Sequence, residues 1–153
     1  MREVSIRTRF DILESQRQAK DFAAELGFPK RACHELAIVA SELASNILKY
    51  AHTGTIVLAA VEGDEGRAIE VRACDAGPPF RNVEQAFVDG CDDTGPVDPA
   101  LILRRGGLGA GLGAVARLTH QVRVEQGPHG KCVSATRYLG RRLRSIRPIS
   151  PRT

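Results

Sequence analysis

The sequence predicts an α+β fold: a two-layer α/β sandwich in which helices cover one face of a mixed, mostly antiparallel sheet. Three observations predict it. Residues 30–51 carry an uninterrupted helical stripe, with Leu36, Ala40, Leu43 and Ile47 on one side and no glycine or proline inside. Two pairs of β-rich runs each flank a short glycine-bounded turn, so consecutive strands pair as hairpins. Between those pairs, five glycines fall within the eight positions 106–113, directly ahead of a second apolar helical pattern. The resulting order is β-α-α-β-β-α-loop-α-β-β, with no internal repeat and no domain boundary before about residue 140.

Taken from the start, Val4, Ile6 and Thr8 alternate with charged or small residues and predict a half-exposed strand up to Phe10. Asp11 can cap a helix beginning beside it. Ile12 to Leu26 then carry a helical pattern (Leu13, Ala19, Phe22, Ala23, Leu26), which Gly27 stops before Phe28-Pro29 starts the long helix. Thr55 to Glu62 and Arg67 to Cys74 form the first hairpin around Gly63-Asp64-Glu65-Gly66. Asn82 to Val88 is a short helix with Val83, Ala86 and Phe87 inward. Residues 89–106 hold Gly90, Gly95, Pro96 and Pro99 and little pattern beyond Leu101-Ile102-Leu103; a loop this long is usually functional, for example a lid. A helix after the glycines precedes the last hairpin, Gln121 to Glu125 and Lys131 to Leu139, turned by Gly127-Pro128-His129-Gly130.

Bulk properties narrow the class. At 153 residues, with 42% hydrophobic and 26% charged residues, the chain has the make-up of one soluble globular domain. No apolar run approaches the ~20 residues of a membrane span, and Met1-Arg2-Glu3 predicts no signal peptide. Cys33, Cys74, Cys91 and Cys132 are widely spaced without a CxxC, which predicts no disulfide framework or zinc site and a reducing cytoplasm. The net charge of +4 is uneven: residues 137–153 hold six arginines and no acid, leaving 16 basic against 18 acidic groups in the other 136. Residues 1–139 are therefore expected as the domain and 140–153 as a basic, flexible tail. The body gives no nucleic-acid signal.

The glycine stretch Arg104-Arg105-Gly106-Gly107-Leu108-Gly109-Ala110-Gly111-Leu112-Gly113 costs backbone entropy, so a folded domain needs a reason to keep it. Close approach of backbone N–H groups to phosphates at a helix start is one reason; a flexible hinge is another. A GxxxxGK[ST] loop is excluded because no lysine follows the glycines. The relaxed dinucleotide pattern GxGxxA is matched by Gly109 to Ala114, with Glu125 downstream, but a polar Arg-Arg loop precedes it rather than a buried strand. Two further constellations bear on the choice. Glu42 and Asn46 lie one turn apart on the long helix, where a carboxylate can activate a hydroxyl and an amide oxygen suits Mg²⁺. Lys49 in the next turn can reach a phosphate. Read alone, such a group is also an ordinary solvated flank. Asp75-Ala76-Gly77-Pro78-Pro79 ends a strand; its carboxylate can accept from a base's exocyclic amine while Gly77 lets the base approach, or the stretch is an ordinary turn.

In this order the three elements resemble the GHKL family of ATPases and kinases, and most closely its small RsbT-like serine/threonine kinases. Ser41-Glu42-Leu43-Ala44-Ser45-Asn46-Ile47-Leu48-Lys49-Tyr50-Ala51 and Gly107 to Gly113 carry the resemblance, which spans about residues 4–139. The resemblance implies the Bergerat ATP-binding fold, ATP and Mg²⁺ as cofactors, and protein kinase activity. It implies Glu42 as general base, Asn46 as Mg²⁺ ligand, and Asp75 on the adenine amine. Lys49, Gly77, Arg105, Gly107, Leu108, Gly109, Gly111 and Gly113 would complete the nucleotide site. Implied partners are a STAS-domain antagonist as substrate and a PP2C-type phosphatase, with a sigma factor and a second copy of the chain as further candidates. An anti-sigma factor or non-catalytic binding module of the same fold is the alternative.

The chain departs from the family pattern at two points. Pro79 stands where the first glycine box usually continues to a second glycine, and proline removes a donor and fixes φ. Gly130-Lys131-Cys132-Val133 stands where Gly-Thr is common before the last strand. The loop at 89–106, with Asp92-Asp93-Thr94-Gly95-Pro96, is also longer than in the shortest members.

Overall fold

The computed structural model describes residues 1–88, 91–92, 95–96, 111–143 and 150–152, with backbone alone for 91–92, 95–96 and 150–152. Strand β1 (Arg2–Ile6) leads into helix α1 (Arg9–Glu25) and the long α2 (Lys30–Tyr50). Next come the hairpin β2 (Gly54–Gly63) and β3 (Gly66–Asp75), the single-turn α3 (Val83–Ala86) and the two-residue strands β4 (Cys91–Asp92) and β5 (Gly95–Pro96). Helix α4 (Leu112–Arg117), the hairpin β6 (Gln121–Gly127) and β7 (Gly130–Tyr138), and β8 (Ser150–Arg152) complete the order.

The main sheet runs β1-β2-β3-β7-β6-β8, antiparallel throughout except that β8 lies parallel to β6. The α+β two-layer architecture expected from the sequence is the one observed. Register puts Ile56 opposite Val4 and Ala73, Val71 opposite Leu58 and Ala135, and Val133 opposite Ala73 and Val124. These side chains share one face because alternate residues of a strand point the same way. All are buried, and α2 packs on β1, β2 and β3. The stripe Leu36, Ala40, Leu43 and Ile47 is at most 1% exposed, as its spacing predicts. Each of its large members contributes about 1.5–3 kcal/mol relative to leaving it in water.

Local chemistry sets the element ends. β1 stops at Ile6, short of the expected Phe10, because Asp11 draws the chain into α1 two residues after Arg7. Its Oδ2 accepts the backbone N–H of Arg7 and of Thr8, both at 2.8 Å, so the helix starts at Arg9. Consequently Phe10 is 80% and Leu13 60% exposed, and Ser15 takes an inward position that the sequence pattern assigned to Leu13. Gly27 closes α1 at φ +92°, with Phe28 N–H reaching back to Ala23 O at 3.0 Å.

The helix-facing side of the sheet also carries charge and polarity near its far end. Arg137 on β7 is 9% exposed, pairs with Glu35 of α2 at 3.5 Å and donates to Leu118 O at 3.3 Å. His120 is fully buried, and its Nδ1 accepts Tyr138 N–H at 2.9 Å. That bond makes Nε2 the protonated nitrogen, which then donates to Arg142 O at 3.1 Å and fastens residues beyond β7 to the sheet. Among the described residues, no helix is long and apolar enough to cross a membrane.

Candidate nucleotide site

The C-terminal half of α2 brings Glu42 and Asn46 to successive turns. Glu42 is buried, at 8% exposure, and Asn46 is half-buried. Lys49 is exposed, with Nζ 4.7 Å from the centre of the Tyr50 ring, so it lies along the outside of the helix. The helix ends at Tyr50, and Ala51 beyond it meets the turn after β3. A Cβ on Gly77 would lie 2.7 Å from Ala51 Cβ, closer than carbon atoms pack. Gly77 therefore lets the Asp75 turn close onto α2, a packing role where the sequence suggested room for a base.

Asp75 closes β3, and its Oδ1 accepts Gly77 N–H at 2.8 Å. The same oxygen receives Lys131 Nζ at 2.9 Å, and the two side chains are only 3% and 2% exposed. Register explains the meeting: Asp75 is paired with Lys131 on the β3–β7 ladder. Both share the parity of Ala73 and Val133, so both project toward the helix-covered face. The ammonium also donates to Pro78 O at 3.1 Å and sits 5.3 Å from the Phe80 ring centre. Phe80 is held in turn: its N–H donates to Gln126 Oε1 at 2.9 Å, Gln126 Nε2 donates back to Phe80 O at 3.3 Å, and Phe87 meets its ring edge-on at 5.9 Å. The loop after Asp75 is thus pinned over Lys131 from β6, β7 and α3.

Helix α4 packs against α2, so its glycine entrance lies beside the helix that carries Glu42 and Asn46. Gly111 caps it at φ +71°, a conformation that favours glycine, and Gly113 is buried in its first turn. Arg104, Arg105, Gly107, Leu108 and Gly109 lie outside the described residues, as does most of the expected lid. Among the described residues, the end of α2 meets the Asp75 turn through Ala51 and Gly77, and α4 packs on α2. An open cleft of about 640 Å³ runs along the β6–β7 turn, lined by Asp75, Glu125, Gln126, His129 and Lys131 among others, and none of α2 lines it.

The two ends of the site fit a Mg-nucleotide unequally. At the phosphate end, the Asn46 amide oxygen is a hard ligand of the kind Mg²⁺ takes alongside phosphate and water oxygens. Such a site needs no acidic cluster, and none of three or more His, Cys, Asp or Glu gathers among the described residues. At the base end, the Asp75 oxygen nearest the turn already holds two donors, one of them a full cation.

Three residues here escaped the sequence reading: Lys131, Phe80 and Gln126. The signal for Lys131 was present, since inward Val133 and Ala135 fix Lys131 inward at the same parity. A fourth finding corrects the cysteine expectation. Cys74 and Cys132 form a disulfide, with Cα atoms 4.2 Å apart, on the rung next to Asp75 and Lys131 but on the opposite face. Their separation of 58 residues hides a pairing that the ladder register makes direct. Cys33 is free and buried; its thiol donates to Phe28 O, and burial pushes its pKa up.

Comparison with known proteins bears on the family and the fold. Residues 11–137 match the family model described as the histidine kinase-like ATPase domain. The chain is 32% identical over 115 residues to the serine/threonine-protein kinase RsbT of Bacillus subtilis, covering 75% of this chain and 78% of that protein. A crystal structure of the RsbU and RsbW domains of Rv1364c from Mycobacterium tuberculosis superposes with a TM-score of 0.57 at 17% identity. That match covers 96% of this chain but only 35% of the longer one. The SiaB–SiaC complex from Pseudomonas aeruginosa gives a TM-score of 0.54 at 18% identity, over 89% of each chain. At these identities the two structures speak to the fold alone. With a family model spanning the body of the domain and a kinase relative aligned over most of its length, the chain belongs to the histidine kinase-like ATPase family, on its RsbT-like branch.

Proposed function

We propose that the protein is an ATP-dependent serine/threonine kinase that phosphorylates a STAS-domain antagonist and regulates a PP2C-type phosphatase in a partner-switching pathway. The observation that carries this reading is the placement of Glu42, buried, one turn before the half-buried Asn46 on α2, beside the glycine entrance of α4. Its kinship with the kinase RsbT supports it. In this reading the Asn46 amide oxygen holds Mg²⁺, and Gly111 and Gly113 let backbone N–H groups approach phosphates. The Glu42 carboxylate accepts the proton of the incoming serine or threonine hydroxyl. Lys49 would hold a phosphate oxygen, and Arg105, Gly107, Leu108 and Gly109, outside the described residues, would supply further phosphate contacts. Bound Mg-ATP supplies the transferred phosphoryl group, and transfer of this kind depends mainly on positioning and charge stabilisation.

A specific observation favours a second reading. The Asp75–Lys131 ion pair satisfies the carboxylate without a nucleotide, as suits a binding module that sequesters a sigma factor or phosphatase by surface contact. One experiment separates the two. The purified chain is incubated with Mg-ATP and candidate STAS-domain proteins, and phosphoserine or phosphothreonine is sought by mass spectrometry. Phosphotransfer establishes the kinase. Absence of phosphotransfer, with a sigma factor or phosphatase retained by the chain in a parallel pull-down, establishes the module.

A further inference from the structure

We propose that Lys131 occupies the base end of the nucleotide site as an internal substitute for the exocyclic amine of adenine, and so sets the affinity for adenine nucleotides. The inference rests on the nucleotide-site reading above and adds to it a residue that decides how well the site is filled.

The chemistry is a competition for one carboxylate. An exocyclic amine offers Asp75 a neutral N–H donor, whereas Lys131 offers an N–H donor carrying a full charge. Charge-assisted hydrogen bonds are shorter and about twice as strong as neutral ones, and the difference grows where water is excluded. Here water is largely excluded, since the two side chains are 2% and 3% exposed. Asp75 Oδ1 is already shared between Lys131 at 2.9 Å and Gly77 N–H at 2.8 Å.

The ammonium is also caged. Pro78 O takes a second of its protons at 3.1 Å, and the face of Phe80 lies 5.3 Å away. Gln126 clamps Phe80 by both backbone groups. Pro79 sits inside this loop with φ fixed and no N–H to give. A base edge that reaches Asp75 must either share the carboxylate with the Lys131 cation or displace it from the carboxylate, the carbonyl and the ring together. A purely structural ion pair would tie β3 to β7 and leave nucleotide affinity indifferent to Lys131; a substitute for the base makes affinity rise when Lys131 is shortened.

The test is isothermal titration of the full chain with Mg-ADP and Mg-ATP, comparing wild type with Lys131→Thr and Lys131→Met, each checked for folding by circular dichroism. Both variants should bind at least ten-fold more tightly than wild type, and adding Asp75→Asn to Lys131→Thr should abolish the gain. Folded variants that bind no more tightly than wild type overturn the role of Lys131 and leave the nucleotide site standing. Absence of binding by wild type and variants alike overturns the nucleotide site and this inference with it. A second measurement needs no variant: the Lys131 ¹⁵Nζ resonance of the wild-type chain should shift when Mg-ADP is added to saturation. A resonance unchanged in the nucleotide-saturated protein overturns the proposal.

Discussion

Gly77 and Ala51 touch where the turn after β3 meets the end of α2: a methyl group on Gly77 would stand 2.7 Å from the one on Ala51 and 3.1 Å from Asp75 Oδ1. The contact joins two parts of the candidate site, the helix bearing Asn46 and the turn bearing Asp75. Gly77→Ala must therefore push the turn off the helix. Overpacking of this kind costs about 1–3 kcal/mol, to be measured as a lower urea midpoint at unchanged slope. Ala51→Gly in the same chain should recover part of the loss, and failure to do so would separate the two positions.

On the proposed kinase reading, Asn46→Ala abolishes Mg-ATP-dependent phosphorylation of the STAS-domain substrate, while a variant that still phosphorylates would remove Asn46 from the Mg²⁺ site. Glu42→Gln keeps the shape of a buried side chain and removes its ability to take a proton. General-base catalysis contributes roughly 10²–10⁴-fold, so kcat should fall within that range with ATP affinity little changed. Equal losses in both would point to a binding role.

Asp11 makes the start of α1 sensitive to acid. Backbone N–H groups of Arg7 and Thr8 hold its carboxyl below the usual carboxylate range. A depressed native value means that the charged form favours folding. That contribution is complete above the unfolded value near ~4 and is lost as pH falls through the lower native one. Asp11→Asn should thus lower the melting temperature at pH 7 and lower it by less at about pH 2, where the native carboxylate approaches its depressed pKa. Equal losses at both pH values would assign the effect to packing.

Cys33 should be a silent thiol. It is buried near the start of α2, its thiol donates to Phe28 O, and burial raises its pKa, so little thiolate exists at neutral pH. Alkylation of Cys33, followed by peptide mass spectrometry, should proceed only as fast as the domain opens and should accelerate in urea. Rapid native labelling would contradict its burial.

What the sequence disclosed about the fold was whatever periodicity controls. The α2 stripe was legible because four apolar residues recur at helical spacing with nothing to interrupt them, and both hairpins because glycine bounds their turns. Leu13 was misplaced because an apolar residue at a plausible spacing carries no mark of which side of a helix the capping residue will turn inward. The candidate site was legible as motifs in order, Glu42 with Asn46, then Asp75, then the glycines. Its distinguishing pair was not, because Asp75 and Lys131 meet only once strand register is fixed, and they lie 56 residues apart in sequence. The same register hid the Cys74–Cys132 bond.

That bond changes the connectivity of the molecule as well as its sheet. Cys74 and Cys132 are 58 residues apart, so the segment that holds the Asp75 turn, the long loop, the glycines and α4 is a covalent ring, closed at the rung beside Asp75 and Lys131. A single protease cut anywhere within the ring converts it to an open branch without releasing a piece. The cleaved protein should migrate as one species without reductant and as two with it. After a cut between Asp75 and Gly113, the candidate nucleotide-binding residues would travel together in the first state and divide between fragments in the second.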